Sequence, residues 1–114
     1  MTRAASAQMP ARYSGCGTPP AWHQPPKVDG ILVSHGHRDH IEDAATVARA
    51  TGAPVVANFE ICTWLGKKGV RHTRPMNKGG TIQVGDVRIT MVEALHSSSY
   101  EENGVTQYLG EAAG

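Results

Sequence analysis

The sequence predicts an α/β fold that combines a parallel βαβ unit with an antiparallel hairpin. The first observation is a short apolar run at residues 30–34, typical of a strand buried on both faces. A second such run, at residues 54–58, follows a segment with helical periodicity. The third is an alternation of apolar and polar residues over 82–91 around Gly85 and Asp86, which indicates a tight hairpin.

The segment between the two apolar runs is predicted to be one amphipathic helix that begins near residue 39. Its apolar residues recur at i, i+3, i+4 and i+7, and they are Ile41, Ala44, Ala45 and Ala48. Gly52 can end this helix in a left-handed conformation. Because a helix joins the two strands, we expect them to be parallel neighbours.

The remainder of the chain alternates short elements with polar loops. Residues 59–65 predict a short helix that ends at Gly66, and a polar loop then runs through Gly79 and Gly80. Residues 87–95 predict a strand, 97–103 a loop and 104–109 a last short strand. Residues 1–27 contain five of the seven prolines and no periodicity, which predicts an irregular or disordered arm before a single domain at 28–114.

Composition excludes several classes of protein. A net charge of +1 with 18% charged residues indicates no overall field for nucleic acid or an anionic membrane. No stretch approaches the ~18 apolar residues of a membrane span, and no secretory signal is evident. Cys16 and Cys62 do not form a disulfide framework. We therefore expect a cytoplasmic protein without a membrane partner.

Residues 35–40 concentrate metal-ligating side chains where a buried strand meets a helix. His35, His37, Asp39 and His40 fall within six residues, and Gly36 is expected to let the backbone turn closely. In extended chain, His35 and His37 leave on one side, so both imidazoles can reach one ion. Asp39 and His40 are directed toward a second metal position or toward water on the first.

A third imidazole is available at the end of a later predicted strand. His96 follows the strand predicted at 87–95, an edge where α/β folds place their sites. His23 and His72 stand alone in the sequence, and we assign them no role because isolated histidines are usually surface residues.

The His-x-His-x-Asp-His pattern after an apolar strand is similar to the signature of the metallo-β-lactamase superfamily. From about residue 28 to residue 114, the chain resembles bacterial metal-dependent hydrolases related to L-ascorbate-6-phosphate lactonases. The resemblance implies that His35, His37 and His96 bind a first metal, and that Asp39 and His40 bind a second. It also implies an αββα sandwich and a binuclear zinc or manganese hydrolase. Because this sequence departs from the family as described below, we expect one or two zinc ions, with manganese as the alternative metal.

Metal-dependent hydrolysis explains why a carboxylate lies among the imidazoles. Coordination lowers the pKa of water from about 15.7 to about 7, which generates a hydroxide nucleophile at neutral pH. We expect Asp39 to be catalytic, because its carboxylate can orient the nucleophile or receive its proton. A small lactone or another ester-like molecule is the first substrate class that we expect.

The sequence departs from the superfamily after His96. Members complete the two-metal site with a later bridging aspartate and a last histidine, whereas the carboxylates that follow here are Glu101, Glu102 and Glu111. The chain therefore resembles about one half of the sandwich. We expect a homodimer in which each chain covers the exposed sheet of the other, and the alternatives are a mononuclear hydrolase and a truncated metal-binding fragment without turnover.

A second alternative rests on a basic stretch without an interleaved carboxylate, namely Lys67, Lys68, Arg71, Arg74 and Lys78. Such a stretch could hold phosphate or an RNA backbone in a phosphodiesterase or nuclease. No aromatic platform interleaves with these charges, so a solvated loop is the favoured interpretation and nucleic acid is disfavoured as a partner.

Overall fold

The computed structural model describes residues 4–6 and 27–114, and within them eight strands and three helices. The strands are β1 (Ala4–Ser6), β2 (Gly30–Leu32), β3 (Val55–Ala57), β4 (Thr73–Pro75), β5 (Thr81–Val84), β6 (Val87–Thr90), β7 (Ser99–Glu102) and β8 (Val105–Tyr108). The helices are α1 (Arg38–Ile41), α2 (Ala44–Thr51) and α3 (Phe59–Lys67).

A four-stranded parallel sheet with the order β1-β2-β3-β4 organises the molecule. Ile31 in β2 pairs with Val55 in β3, and the chain between these strands contains α1 and α2. This arrangement confirms the predicted α/β class and its βαβ unit. Both strands are buried almost throughout, as expected of a parallel sheet that is covered by other elements.

The two outer strands of this sheet were not predicted. β4 contains the polar sequence Thr-Arg-Pro, so no apolar pattern distinguished it from the predicted loop. β1 falls within the arm predicted to be irregular, and that prediction is wrong for Ala4–Ser6, which pair in parallel with Gly30–Leu32. Partners in a sheet, more than local propensity, place such three-residue strands. Residues 7–26 of the predicted arm lie outside the described residues, and the domain boundary at residue 28 stays a prediction.

The single helix predicted from residue 39 is two short helices, α1 and α2. Ile41, Ala44, Ala45 and Ala48 are all buried, so the predicted apolar face is present. Periodicity alone could not separate one helix from two that bury a shared face. Gly52 ends α2 with a φ of 73°, and its N–H donates to the Ala48 carbonyl oxygen at 2.8 Å, which confirms the predicted cap.

Two antiparallel hairpins follow the parallel sheet. β5 and β6 pair through Val84 and Val87, which confirms the predicted hairpin. β7 and β8 form a second hairpin, so the loop predicted over residues 97–103 is wrong at Ser99–Glu102. The missed signal was Asn103-Gly104, where both residues adopt positive φ as a tight hairpin turn requires.

The strand predicted over residues 87–95 ends at Thr90, because the pairing partner changes there. Up to that residue, β6 pairs with β5. Beyond it, Val92 exchanges backbone hydrogen bonds with Gly114, and Glu93 forms an isolated bridge to Ala113. The segment that carries His96 is therefore held by the last residues of the chain.

The main core joins the sheet, the helices and residue 109. Its most deeply buried side chains include Ile31, Val55, Ile61, Leu65 and Leu109. None of the helices in the described part of the chain is both long and apolar enough to cross a membrane.

Asn58 at the start of α3 links this core to the last residues. Its side-chain oxygen accepts from the Ile61 N–H at 2.7 Å, which caps the helix. Its amide nitrogen donates to the carbonyl oxygens of Leu109, at 2.9 Å, and Glu111, at 3.0 Å. One side chain thereby fixes the segment that lies next to residues 35–37.

Cys62 in α3 is expected to be chemically unreactive while the protein is folded. Burial raises the pKa of this thiol from 9.0 to about 11, so the nucleophilic thiolate is scarce at pH 8. The pKa of this thiol is higher in the folded protein than in the unfolded one, so its protonation contributes to the free energy of unfolding. This contribution is complete below pH 9 and is lost as pH rises toward 11. Iodoacetamide labelling followed by peptide mass spectrometry should show Cys62 modified far more slowly in buffer than in urea. Equal rates would contradict its burial.

Gly66 is expected to be a site where alanine stabilises the protein. It lies inside α3, is exposed, and a Cβ built there meets nothing within 4 Å. Alanine is favoured over glycine in a helix by about 1 kcal/mol, mainly through the entropy of the unfolded chain. Urea unfolding of Gly66→Ala should show a higher midpoint with an unchanged slope, and a lower midpoint would contradict the helix geometry.

Candidate metal centre

Three histidines meet at the carboxyl edge of the parallel sheet. His35 follows β2 after two residues, and His37 is the residue that precedes α1, with an extended backbone at φ −71° and ψ 148°. His96 arrives from the segment between β6 and β7. One ligand atom from each of the three lies within 4.8 Å of the other two.

The three rings surround a common point and differ in exposure. The ring centroids of His35 and His37 are 4.9 Å apart, those of His35 and His96 are 4.4 Å apart, and those of His37 and His96 are 4.9 Å apart. His35 is buried, His37 is half-buried and His96 is exposed. The cluster is thus closed on its protein side and open on the other, as a site for substrate requires.

His35 provides the test of whether these residues suit a metal ion. Its Nδ1 is 2.9 Å from Ser34 Oγ, whereas its Nε2 is buried and has no hydrogen-bond partner among the described residues. Burial and, to a smaller extent, the nearby His40, His96 and His37 together lower the pKa of His35 to about 4. The ring is therefore neutral at pH 7, which is the form that binds metal, and a metal ion would satisfy the otherwise unpaired nitrogen.

The other two imidazoles are also oriented by oxygen atoms. His37 Nε2 is 3.1 Å from Ser97 Oγ, and His96 Nδ1 is 2.9 Å from the Ser97 carbonyl oxygen. Histidines that bind metal usually engage their second ring nitrogen with such groups, which fixes the ring. Sequence reasoning gave no role to Ser34 or Ser97, although a hydroxyl residue next to each of two candidate ligands was the available signal.

Asp39 and His40 lie beside the cluster but are not part of the three-histidine group. The His40 ring is 4.2 Å from that of His35, and His40 Nδ1 is buried without a hydrogen-bond partner in the described chain. His40 Nε2 lies 3.5 Å from Asp39 Oδ2, and the Asp39 side chain is 69% exposed. The structure therefore brings together the residues predicted for the first metal and places those predicted for the second next to them.

Gly36 allows close packing behind the two histidines. A Cβ at this position would lie 2.6 Å from Leu109 Cδ1, and Gly36 is not among the glycines with positive φ. Glycine is therefore required at this position because Leu109 packs closely against it, and not because the backbone adopts a turn with positive φ. Ser98 connects Gly36 and Leu109 by hydrogen bonds, because its Oγ accepts from the Gly36 N–H at 2.9 Å and donates to the Leu109 carbonyl oxygen at 3.3 Å.

Three of the five residues of the basic stretch have separate partners. Lys68 pairs with Glu102 at 2.9 Å, and Arg74 donates to the Gln83 carbonyl oxygen at 3.2 Å. Lys78 lies between two carboxylates, those of Glu93 and Glu111, which raise its pKa. His72, close to this stretch, is exposed and lies outside the histidine cluster, and His23 lies outside the described residues.

Comparison with known proteins identifies close relatives. The chain is 50% identical over 98 residues to the UPF0173 metal-dependent hydrolase of Rubrobacter xylanophilus, a match that covers 85% of this chain and 40% of that protein. It is 52% identical over 88 residues to the corresponding protein of Solibacter usitatus, covering 77% of this chain and 38% of the relative. The chain thus spans about two fifths of the length of these curated relatives.

A solved structure has the same fold over most of the chain. Igni18, described as a metallo hydrolase from the hyperthermophilic archaeon Ignicoccus hospitalis, superimposes with a TM-score of 0.60 at 32% identity. The superposition covers 75% of this chain and 35% of Igni18. These matches confirm the predicted resemblance and its partial extent.

The family assignment follows from a match along nearly the whole chain. The family described as "Beta-lactamase superfamily domain" matches residues 7–114, which include all five candidate site residues. Together with the metal-dependent hydrolases among its relatives, this match shows that the chain belongs to the metallo-β-lactamase superfamily.

Proposed function

We propose that this chain forms the metal site of a metal-dependent hydrolase and that His35, His37 and His96 hold its first ion. The observation that carries the proposal is the convergence of three imidazoles on one point, with the buried Nε2 of His35 left without a hydrogen-bond partner among the residues that the structure describes. The names of the relatives support the same reaction class.

Zinc is the ion that the donor set favours, with manganese as the alternative. Three imidazole ligands match the sites at which catalytic zinc keeps an open position. When bound, such an ion supplies Lewis acidity and lowers the pKa of water to about 7. We propose His40 and Asp39 as ligands to a second ion, because they adjoin His35 and because His40 Nδ1 is buried without a partner among the described groups.

In this proposal, side chains of the protein orient the metal ligands and accept a proton. Ser34 and Ser97 orient the imidazoles, and the low pKa of His35 keeps that ring unprotonated at neutral pH. The exposed carboxylate of Asp39 is available to accept a proton and to transfer it to solvent. An ester or lactone carbonyl would react on the open side, where His96 is exposed.

Hydrolysis that depends on both the metal and Asp39 is the test of this proposal. Zinc-loaded protein should hydrolyse 4-nitrophenyl acetate or an uncharged lactone, lose the activity with chelator and regain it with zinc. Asp39→Asn should lower kcat by roughly 10²–10⁴-fold, the usual contribution of a general acid or base. His72→Ala, at an exposed histidine outside the cluster, is the matched control and should retain full activity.

A metal-binding chain without turnover is the alternative, and it is favoured by the position of Asp39, whose side chain is 69% exposed and lies outside the three-histidine group. The hydrolysis assay described above distinguishes the hydrolase from the metal-binding chain without turnover. Zinc that is retained in a stoichiometric amount, with hydrolysis no faster than in buffer, would support the alternative and overturn the hydrolase.

A further inference from the structure

Arg38 joins the first helix to the β7–β8 hairpin. It is the first residue of α1 and lies between His37 and Asp39 in the chain. Its guanidinium carbon is 4.9 Å from the centroid of the Tyr100 ring, and its Nη2 donates to the Glu101 carbonyl oxygen at 3.2 Å. A side chain that lies between two candidate ligands is thus fixed to a strand that is 63 residues away along the chain.

The Tyr100 ring is itself fixed by the core of the protein. Its centroid is 5.0 Å from that of Trp64, a buried residue of α3, and Tyr100 also packs on the main apolar cluster. Aromatic rings at this separation attract each other, and a guanidinium group is attracted to the face of such a ring. The position of the Tyr100 ring is therefore set by α3, and Arg38 has a firm surface on which to rest.

Two neighbouring contacts join the same two segments. Ser97 Oγ lies 3.1 Å from His37 Nε2, and Ser98 Oγ accepts from the Gly36 N–H at 2.9 Å. With Arg38, three consecutive residues each meet the stretch of chain that directly follows the third histidine of the cluster. The two segments that supply histidines are therefore docked side by side, and Arg38 makes the last of these contacts.

The single turn of α1 depends on contacts of this kind. It has four residues, whereas isolated helices shorter than roughly 12–15 residues are marginal in water. Ile41, the last residue of α1, is 1% exposed and anchors that end in the core. Arg38 provides the corresponding anchor at the first residue, directly after His37.

We propose that Arg38 is a positioning residue of the metal centre, which sets the separation between the imidazoles of His37 and His96 by tying α1 to β7. The inference rests on the proposed metal site and adds to it a residue that does not bind the ion. The Arg38 side chain is 54% exposed, and its ion pair with Glu42 is a surface pair, which contributes little to stability. Removal of this side chain should therefore change the site far more than it changes the fold.

Zinc affinity and cobalt absorption test the proposal on the full chain. Arg38→Ala should lower the zinc affinity, measured by competition with a chromogenic chelator, by about 10–100-fold, the usual effect of losing a group that orients a metal ligand. The visible absorption of bound Co²⁺ should shift or weaken, because these bands report the geometry of the ligands. Arg38→Lys should recover part of the affinity, because lysine keeps a cation at Tyr100 but lacks the planar fork that also reaches Glu101.

Arg49→Ala is the matched control. Arg49 is also an exposed arginine in a short helix, and its Nη1 donates to the Lys68 carbonyl oxygen at 2.6 Å. This residue lies outside the histidine cluster, so its loss should leave zinc affinity unchanged. The urea midpoints of the two alanine variants should be similar. Equal zinc affinities in Arg38→Ala and Arg49→Ala would overturn the proposal, and so would a midpoint for Arg38→Ala so low that unfolding accounts for the lost affinity.

Histidine ring resonances separate this inference from the proposed function. In metal-free protein, Arg38→Ala should shift the imidazole nitrogen signals of His37 and His96 and leave those of His72, which is exposed and outside the cluster, unchanged. If these shifts are observed while no zinc is retained, Arg38 positions the histidines and the proposed metal site fails. If zinc is retained at the histidines and Arg38→Ala changes neither the affinity nor the ring signals, the proposed function stands and this inference fails.

Discussion

Replacement of His35 by alanine is expected to weaken zinc binding more than any other single change. His35 is the buried member of the cluster, and its Nε2 has no other hydrogen-bond partner in the described chain. Loss of a group that only orients a ligand lowers metal affinity by about 10–100-fold, so loss of the ligand itself should exceed about 100-fold. Competition with a chromogenic chelator measures this affinity directly.

The zinc affinities of two further variants should fall between that of His35→Ala and that of the unaltered protein, or equal the latter. Ser34→Ala removes the 2.9 Å contact to His35 Nδ1 and should weaken binding by about 10-fold to 100-fold. His72→Ala should leave the affinity unchanged, because His72 is not in the cluster. Similar losses for His35→Ala and His72→Ala would show that zinc binds elsewhere or nonspecifically.

Alanine at Gly36 is expected to produce one of the larger losses of stability. The added Cβ would lie 2.6 Å from Leu109 Cδ1 and 2.7 Å from Leu109 Cβ, and Leu109 is only 1% exposed. Overpacking of this kind typically costs about 1–3 kcal/mol, because the neighbouring chain has to shift. Urea unfolding measures the change in the free energy of unfolding.

A double-mutant cycle assigns that loss to the contact with Leu109. Leu109→Ala alone should cost about 2–5 kcal/mol, because it leaves a cavity in the core. If the two side chains compete for the same space, the double variant should lose less than the sum of the two single losses. Additive losses would contradict the predicted clash, and Gly66→Ala provides a control for the substitution itself.

The elements that could be predicted from sequence are those whose residues pack in a regular pattern. β2 and β3 are apolar throughout or nearly so, and β5 and β6 flank a tight turn. By contrast, β4 is polar, and it exists because β3 supplies its hydrogen bonds. No local pattern records a partner that is distant in the sequence.

The candidate site divides in the same way. The compact motif identified four potential ligands, and the strand-to-loop transition placed His35 and His37 at the sheet edge. The contribution of Ser98, which joins Gly36 to Leu109, depends on contacts over 62 and 11 residues of chain.

The central claim is that His35, His37 and His96 bind the first ion, and X-ray absorption at the zinc edge of the loaded protein tests it most directly. We expect imidazole nitrogens at roughly 2.0–2.1 Å, with the outer-shell scattering typical of histidine rings. Three such rings per zinc at one equivalent of metal would support the assignment. Sulfur at about 2.3 Å, or a shell of oxygen atoms without imidazole scattering, would contradict it.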